Sequence, residues 1–233
     1  VQTCALPILT PRFQDTARLV WVIYISLTIL ETILLYFSGL SFYDSFNHAF
    51  TTLSTGGFST FNSSVSEFST LTIFIINIFM FLAGSSFILL LKVLKNKNLN
   101  ELFKSSEFKF YTFIVFSSAT IFLLKTISNS ENIFLAINNA VFTSLTLITT
   151  TGYTNLDYEN WNINYRVFIL GLMFLGGMSG STAGGIKTIR VIALLKSVRN
   201  EIRKILYPNA IFKIRMSKSI IPERMIESVQ RSE

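Results

Sequence analysis

Two short segments of matching composition contain the residues of this chain that are best suited to bind a ligand. They read STGGFST at 54–60 and TTTGYTN at 149–155. A cation that leaves water needs oxygen ligands, and stacked backbone carbonyls supply them without burying a formal charge. Glycine reaches the positive φ values that turn consecutive carbonyls to the same side. The paired segments therefore predict a cation filter made of main-chain oxygen atoms.

The predicted filter residues fall at matching places in the two segments. Gly57 and Gly152 are equivalent, and each precedes an aromatic residue that we expect to wedge the loop against its surroundings. The hydroxyls of Thr55 and Thr151 could add ligands to the carbonyls, which would bind a cation. The assigned residues are Ser54, Thr55, Gly56, Gly57, Phe58, Thr150, Thr151, Gly152 and Tyr153. An ordinary Gly/Thr turn between helices is the alternative, and a second copy in the same setting counts against it.

Hydrophobic stretches flank both segments and must position them. Half of the residues are apolar, only 14 % are charged, and 23 are phenylalanine. Apolar runs lie at 19–40, 71–91, 110–127 and 163–195. A bilayer span needs about 20 mainly apolar residues. The composition therefore predicts an all-α membrane protein.

The chain contains an internal repeat of roughly 95 residues. Each copy is predicted to hold an outer span, a half-crossing pore helix, a filter loop and an inner span. The half-crossing segments at 44–53 and 132–148 are too short and too polar to cross the bilayer. Their partially negative carboxyl ends would face the pore and favour cations. Because carbonyl filters are typically built from four loops, this chain would supply half of one.

The distribution of charge orients these elements. Segments 43–67 and 128–162 contain no Lys or Arg, whereas 92–109 carries five lysines and the tail beyond residue 186 is basic. The positive-inside rule then makes 92–109 and both termini cytoplasmic, and both filter segments enter from outside. The basic residues that give the net charge of +7 are concentrated in the segments predicted to be cytoplasmic, so nucleic-acid binding is not expected. No nucleophile–base pair or paired carboxylates are present, which indicates that the chain is not an enzyme.

The predicted organisation follows from the repeat and the charge pattern. It consists of a non-native or truncated start at 1–15, pore repeats at 16–94 and 110–205, a cytoplasmic connection at 95–109, and a second cytoplasmic connection at 206–233.

A glycine-rich segment interrupts the second inner span. It reads GGMSGSTAGGIKT at 176–188. Each glycine costs a helix about 1 kcal/mol relative to Ala, and unwound segments at membrane depth line cavities. We predict an intramembrane gating loop below the filter loop of its own repeat, on the cytoplasmic side. Its residues are Gly176, Gly177, Ser179, Gly180, Ser181, Thr182, Gly184, Gly185 and Lys187.

The segment also has other interpretations. Gly176, Gly180 and Gly184 are four apart, which is also typical of close helix packing and is compatible with gating. A phosphate-binding loop does not fit, because Ile186 intervenes before Lys187 and no strand precedes the segment. The Lys187 side chain has two possible placements, toward the pore or out to the cytoplasmic interface.

Taken together, STGGFST, TTTGYT and GGMSGSTAGGIKTIR resemble the Trk/Ktr/HKT superfamily of potassium transporters, in particular its bacterial TrkH/KtrB-type membrane subunits. The runs EIRKILYPNAI at 201–211 and IIPER at 220–224 are similar to a cytoplasmic connection of that family. The resemblance covers about residue 10 to the end. It implies four span–pore-helix–span repeats around one pore, of which this chain matches the second and third. It also implies uptake of K⁺, with Na⁺ as a second transported or coupling ion, and no other cofactor.

The resemblance further implies a multi-pass protein of the bacterial inner membrane, in contact with lipid. Family members form homodimers and bind a cytoplasmic, nucleotide-binding regulatory subunit. Because the first and fourth repeats are missing, the chain is interpreted as a fragment of a longer protein. The competing function is a non-transporting membrane scaffold in which the Gly/Ser/Thr segments only pack helices.

Overall fold

The protein is described by a computed structural model over residues 11–127, 132–158 and 161–206, and over two short strands beyond them. Residues 1–10 and most of 207–233, which carry part of the predicted start and second connection, lie outside the described residues. The helices are α1 (Pro11–Phe37), α2 (Phe42–Leu53), α3 (Thr70–Ala83), α4 (Phe87–Asn96), α5 (Asn100–Lys104), α6 (Ser106–Thr126), α7 (Ile133–Ile148), α8 (Ile163–Phe174) and α9 (Thr188–Leu206). Strands β1 (Arg215–Met216) and β2 (Ser219–Ile220) pair antiparallel. The α-helical class predicted from the sequence is confirmed.

The helices occur in two copies of the same order. An outer helix (α1 or α6) is followed by a short helix (α2 or α7) and then by a broken inner segment. Helices α2 and α7 end at Leu53 and Ile148, which lie 95 positions apart, and they match the predicted half-crossing segments. The carboxyl end of each short helix is therefore followed directly by one of the two predicted filter segments.

Two described helices are long and apolar enough to cross a membrane. They are the Ala17–Phe37 part of α1 and the whole of α6, which correspond to the predicted outer spans. Their exposed apolar side chains, such as Trp21 and Phe113, suit a lipid-facing surface. Helix α8 is apolar but has only 12 residues, and it ends where the glycine-rich segment begins.

The inner span predicted at the apolar run 71–91 is not one straight helix. Helices α3 and α4 are separate and meet at an angle of 96°. The bend lies at residues 84–86, where a Cβ on Gly84 would stand 2.4 Å from the Tyr111 hydroxyl and 2.6 Å from Cγ2 of Thr149. The backbone at Gly84 passes so close to these side chains that only glycine fits there. Hydropathy alone does not reveal this bend.

The two copies pack through α3, α6 and α7 around one apolar core, which includes Phe122 and Phe142. A buried amide pair crosses this interface. Asn77 of α3 donates from Nδ2 to Oδ1 of Asn138 on α7 at 2.8 Å. Asn138 in turn donates to the Thr70 carbonyl at 3.0 Å. These bonds fix α7 relative to α3, and with it the second predicted filter segment relative to the first copy.

Candidate functional site: two helix-end loops above a glycine-rich loop

Three irregular segments form the candidate site. Loop 1 is residues 54–58, which follow α2, and loop 2 is residues 149–153, which follow α7. Loop 3 is residues 175–187, which join α8 to α9. Loops 1 and 2 contain every predicted filter residue, and loop 3 contains every predicted gating residue.

Loops 1 and 2 have the same backbone path. Thr55 and Gly57 have φ values of 54° and 66°, and Thr150 and Gly152, 95 positions later, have 56° and 85°. An L-residue with a side chain rarely adopts such values, and a threonine in this region is strained. The repetition of the same uncommon pattern shows that the two loops are equivalent structures rather than two unrelated turns.

Equivalent hydrogen bonds maintain this path. The Gly57 N–H donates to the Thr51 carbonyl at 3.3 Å, and the Gly152 N–H donates to the Thr146 carbonyl at 3.2 Å. Thr55 and Thr150 also donate their N–H groups to the Thr52 and Leu147 carbonyls, at 3.0 and 3.1 Å, as in a left-handed carboxyl cap. The partially negative end of each helix therefore opens directly into its loop, which favours a cation there.

The two loops meet through their backbones. A Cβ placed on Gly57 would lie 1.8 Å from the carbonyl oxygen of Thr151. Only glycine permits this approach, in which a carbonyl of loop 2 packs on the α-carbon of loop 1. The predicted filter segments, about 95 residues apart in sequence, are thus direct neighbours in space.

The loop hydroxyls are already engaged within the loops. Thr55 Oγ1 donates to the Ser54 carbonyl, and Thr150 Oγ1 donates to the Thr149 carbonyl, each at 2.7 Å. Thr150, rather than Thr151, is therefore the structural equivalent of Thr55. Thr151 Oγ1 lies 2.7 Å from the Thr149 hydroxyl. Each hydroxyl oxygen keeps a free lone pair, so a role as an ion ligand stays a prediction.

The two aromatic residues differ in role. Tyr153 is fully buried, and its hydroxyl lies 2.6 Å from Thr51 Oγ1 on α2 and donates to the His48 carbonyl at 3.2 Å. The Tyr153 side chain therefore holds loop 2 against α2 of the first copy. Phe58 is 77 % exposed, so the expectation that it wedges loop 1 is not met within the described residues.

The outer side of loop 1 is supported by side chains of α2. His48 contacts the Ser59 hydroxyl through Nε2 at 2.9 Å, and Asp44 accepts from Thr60 at 2.6 Å. Hydrogen bonds from Ser41 and then from Thr60 lower the pKa of the Asp44 carboxyl below its ordinary value. Asp44 is therefore a carboxylate at neutral pH, and it lies near the amino end of α2.

Loop 3 is a closed, non-helical loop. Its two ends pair, because the Gly176 N–H donates to the Ile186 carbonyl at 2.9 Å and the Ile186 N–H donates to the Phe174 carbonyl at 3.0 Å. A Cβ on Gly176 would stand 2.0 Å from the Gly184 carbonyl oxygen. The glycine spacing thus serves backbone contact inside the loop, and the interpretation as a helix-packing stripe is wrong.

Loop 3 lies against loop 2, where the sequence placed it. The Gly184 N–H donates to Thr150 Oγ1 at 2.7 Å. Loop 3 also forms hydrogen bonds with backbone groups at the bend between α3 and α4. The Met178 N–H donates to the Gly84 carbonyl at 2.9 Å, and the Phe87 N–H donates to the Gly180 carbonyl at 3.1 Å.

Glu107 is a contact residue that sequence reasoning missed. It lies in the first turn of α6, and one carboxylate oxygen accepts from the Ser179 N–H at 2.5 Å and from the Thr188 hydroxyl at 3.0 Å. It thereby holds the middle of loop 3 and the start of α9 together. A Glu in a first helical turn is explained by the helix dipole alone, so no sequence signal marked it.

The Lys187 side chain contacts the loop that contains it, and its placement toward the pore or the cytoplasmic interface stays a prediction. Its Nζ contacts the carbonyl oxygens of Ser181, at 3.4 Å, and Ala183. The ammonium group therefore neutralises carbonyl dipoles within loop 3 itself, and it stabilises the closed shape of the loop.

Comparison with known proteins identifies the family. The family TrkH, described as cation transport protein, matches residues 7–230. The chain belongs to the TrkH family. It is 32 % identical over 222 residues to the Trk system potassium uptake protein TrkH of Escherichia coli strain K12. The aligned residues make up 94 % of this chain and 46 % of that protein.

Further relatives agree. A cation transporter of Methanocaldococcus jannaschii is 36 % identical over 200 residues, which cover 86 % of this chain and 40 % of the relative. The crystal structure of the potassium transporter TrkH from Vibrio parahaemolyticus has a TM-score of 0.89, with 28 % identity over 98 % of this chain and 50 % of that one. The chain thus spans about half the length of the TrkH proteins that it matches.

Membership of the TrkH family tests several predictions made from the sequence. The resemblance drawn from the loops is confirmed, and the chain is a multi-pass membrane protein of a transport family rather than an enzyme. The relatives that match nearly the whole chain are named as transporters and not as scaffold proteins.

Proposed function

We propose that the protein to which this chain belongs takes up K⁺ across the bacterial inner membrane, and that loops 1 and 2 supply two parts of its ion filter. The observation that supports this most strongly is the shared backbone path of the two loops, which meet where Gly57 faces the Thr151 carbonyl. Carbonyls presented by equivalent loops are the ligands that replace the hydration shell of a cation. Two loops do not enclose an ion, so further repeats of the full-length protein complete the ring.

We propose that loop 3 is the gate on the cytoplasmic side of the filter. Loop 3 contacts loop 2 through Thr150 and the bend of the first copy through backbone hydrogen bonds, while its Met178 side chain packs in the apolar core. Gly180 and Gly185, with φ values of 76° and 67°, give the loop backbone freedom that other residues lack.

The proposed assembly follows the same resemblance. The full-length protein would form a homodimer in the lipid bilayer and bind a cytoplasmic, nucleotide-binding regulatory subunit. The basic helix α9 ends on the cytoplasmic side, where such a subunit would act on the segment that follows loop 3. Transport of Na⁺ together with K⁺ is part of the proposal, and no other cofactor is required.

Growth of a potassium-uptake-deficient bacterium on low K⁺ tests the transport function. The full-length protein is expected to restore growth, and verified membrane expression without rescue would contradict K⁺ uptake. Measurement of ⁸⁶Rb⁺ entry into the same cells, with K⁺ or Na⁺ as competitor, then tests the preferred ion.

Glycine variants test the gate. Gly180→Ala and Gly185→Ala strain loop 3 because both positions have positive φ, by about 1–2 kcal/mol each. Gly171→Ala in α8 is the matched control, since a Cβ there meets nothing within 4 Å. Increased ion leak is expected in the loop variants and not in the control. Flux and regulation that match wild type in both loop variants would exclude loop 3 as the gate.

A further inference from the structure

One hydroxyl group stands between the predicted filter and the predicted gate. Thr150 Oγ1 donates to the Thr149 carbonyl at the start of loop 2 and accepts from the Gly184 N–H of loop 3, each at 2.7 Å. A threonine hydroxyl has one donor and two acceptor positions, so both bonds form at once without competition. A single side chain therefore contacts the main chain of both loops.

The first copy contains the same side chain without the second bond. Thr55 has nearly the same φ as Thr150, and it makes the same 2.7 Å bond to the carbonyl that precedes it. Within the described part of the chain, loop 3 donates an N–H to Thr150 and not to Thr55. The bond to the preceding carbonyl belongs to the loop structure, and the bond from Gly184 is an addition specific to loop 2.

Gly184 is suited to this approach. A Cβ on Gly184 would point at the threonine and lie 3.0 Å from Thr150 Oγ1 and 3.8 Å from Thr150 Cβ. A side chain there would press on the hydroxyl, so the close contact between the loops depends on glycine. Unlike Gly180 and Gly185, this residue does not have a positive φ, so the requirement comes from the contact with Thr150.

We propose that Thr150 couples the gate to the filter. In the closed state the Gly184 N–H fixes the Thr150 hydroxyl, which in turn fixes the Thr149 carbonyl. When loop 3 withdraws, Thr150 loses that donor and the carbonyl is less constrained. Coupling between two sites is reciprocal, so ion occupancy of the filter and opening of loop 3 shift each other by the same factor. This inference rests on the proposed filter and gate roles and names the link between them.

Thiol accessibility of loop 3 tests the gate side of the coupling. The full-length protein, with native cysteines replaced, would carry Ala183→Cys, because Ala183 is 2 % exposed in the closed loop. A membrane-impermeant thiol reagent is added from the cytoplasmic face. Loss of one hydrogen bond in Thr150→Val is expected to raise the modification rate about three- to tenfold. Thr150→Ser, which keeps the hydroxyl, is expected to restore the wild-type rate.

Thr55→Val is the matched control, because it removes the equivalent hydroxyl, which receives no hydrogen bond from loop 3 among the described residues. Its modification rate at residue 183 should stay well below that of Thr150→Val, because both variants alter a predicted filter loop but only Thr150→Val removes the acceptor of the Gly184 N–H. Equal rates in Thr150→Val and Thr55→Val would overturn the coupling. If Ala183→Cys does not reach the membrane, Met178→Cys, at 1 % exposure, replaces it as the reporter.

A double-mutant comparison tests the filter side. K⁺ over Na⁺ preference is measured for Thr150→Val, for Gly184→Ala and for the pair in the full-length protein. Because both changes disrupt the same contact, the pair should alter the preference no more than the larger single change. Independent, multiplying effects would refute the coupling. Wild-type protein that carries no K⁺ would instead refute the proposed function, so the two failures are distinguishable.

Discussion

Replacement of Gly57 by Ala is the sharpest test of the contact between loops 1 and 2. Gly57 has a φ of 66°, and a Cβ there would lie 1.8 Å from the Thr151 carbonyl oxygen. The backbone strain alone is about 1–2 kcal/mol, which corresponds to a factor of about 5–30 in an equilibrium constant. The steric conflict adds to this, because contacts closer than 3.0 Å essentially never occur and both partners are backbone. The loops would have to separate by about 1 Å.

Gly56→Ala is the matched control. Gly56 has no positive φ, and a Cβ there meets first the Ser54 hydroxyl at 3.2 Å, a side-chain atom that can rotate away. The equivalent residue in loop 2, Thr151, already carries a side chain. A change with no buried conflict is expected to stay within about 0.5 kcal/mol, or about twofold in ion affinity.

The assay is ⁸⁶Rb⁺ uptake by the full-length protein in proteoliposomes, with K⁺ and Na⁺ as competitors. Gly57→Ala is expected to weaken K⁺ competition at least about tenfold and to reduce the difference between the two ions. Gly56→Ala is expected to match wild type. Wild-type competition by K⁺ in Gly57→Ala protein of normal abundance would refute the reasoning, because the 1.8 Å contact would then have no role in the filter.

Three further changes test the supports of the site. Glu107→Ala removes the acceptor that holds loop 3 and is expected to increase ion leak. Glu107→Gln keeps an acceptor oxygen, so the leak should be smaller than in the alanine variant. Equal leak in both variants would show that the negative charge, and not the hydrogen bond, is what matters. Tyr153→Phe removes a buried hydroxyl bonded to α2 and should lower the stability of the detergent-solubilised protein by about 1 kcal/mol, measured by thermal unfolding; an unchanged midpoint would contradict this role. Asn77→Ala breaks the amide pair between α3 and α7 and should cost about 0.6–1.7 kcal/mol in the same assay, and a stability equal to wild type would contradict this role.

Much of the framework is predictable from the sequence. The half-crossing helices α2 and α7 follow from segments too short to span a bilayer, and both end at the expected residue before a glycine-bearing loop. The break between α8 and α9 follows from the density of glycine. These features are local, so composition and spacing are sufficient to predict them.

Features that depend on contact between the two copies are not predictable in this way. The bend at Gly84 brings the backbone so close to Tyr111 and Thr149 that only glycine fits, and hydropathy does not register such an approach. The contacts of Glu107 with loop 3 link positions that are 72 and 81 residues apart. The different burial of Phe58 and Tyr153 likewise reflects their neighbours rather than their matching places in the repeat.

The most direct test of the central claim is to locate the permeant ion itself. Crystals of the full-length protein would be soaked with Tl⁺ or Rb⁺, and anomalous scattering would be recorded. The proposed filter predicts density beside the main-chain carbonyls of loops 1 and 2, on the side of loop 2 away from Gly184, and loss of that density in Gly57→Ala. Density confined to other parts of a protein that transports K⁺ would contradict the assignment of these loops as the filter.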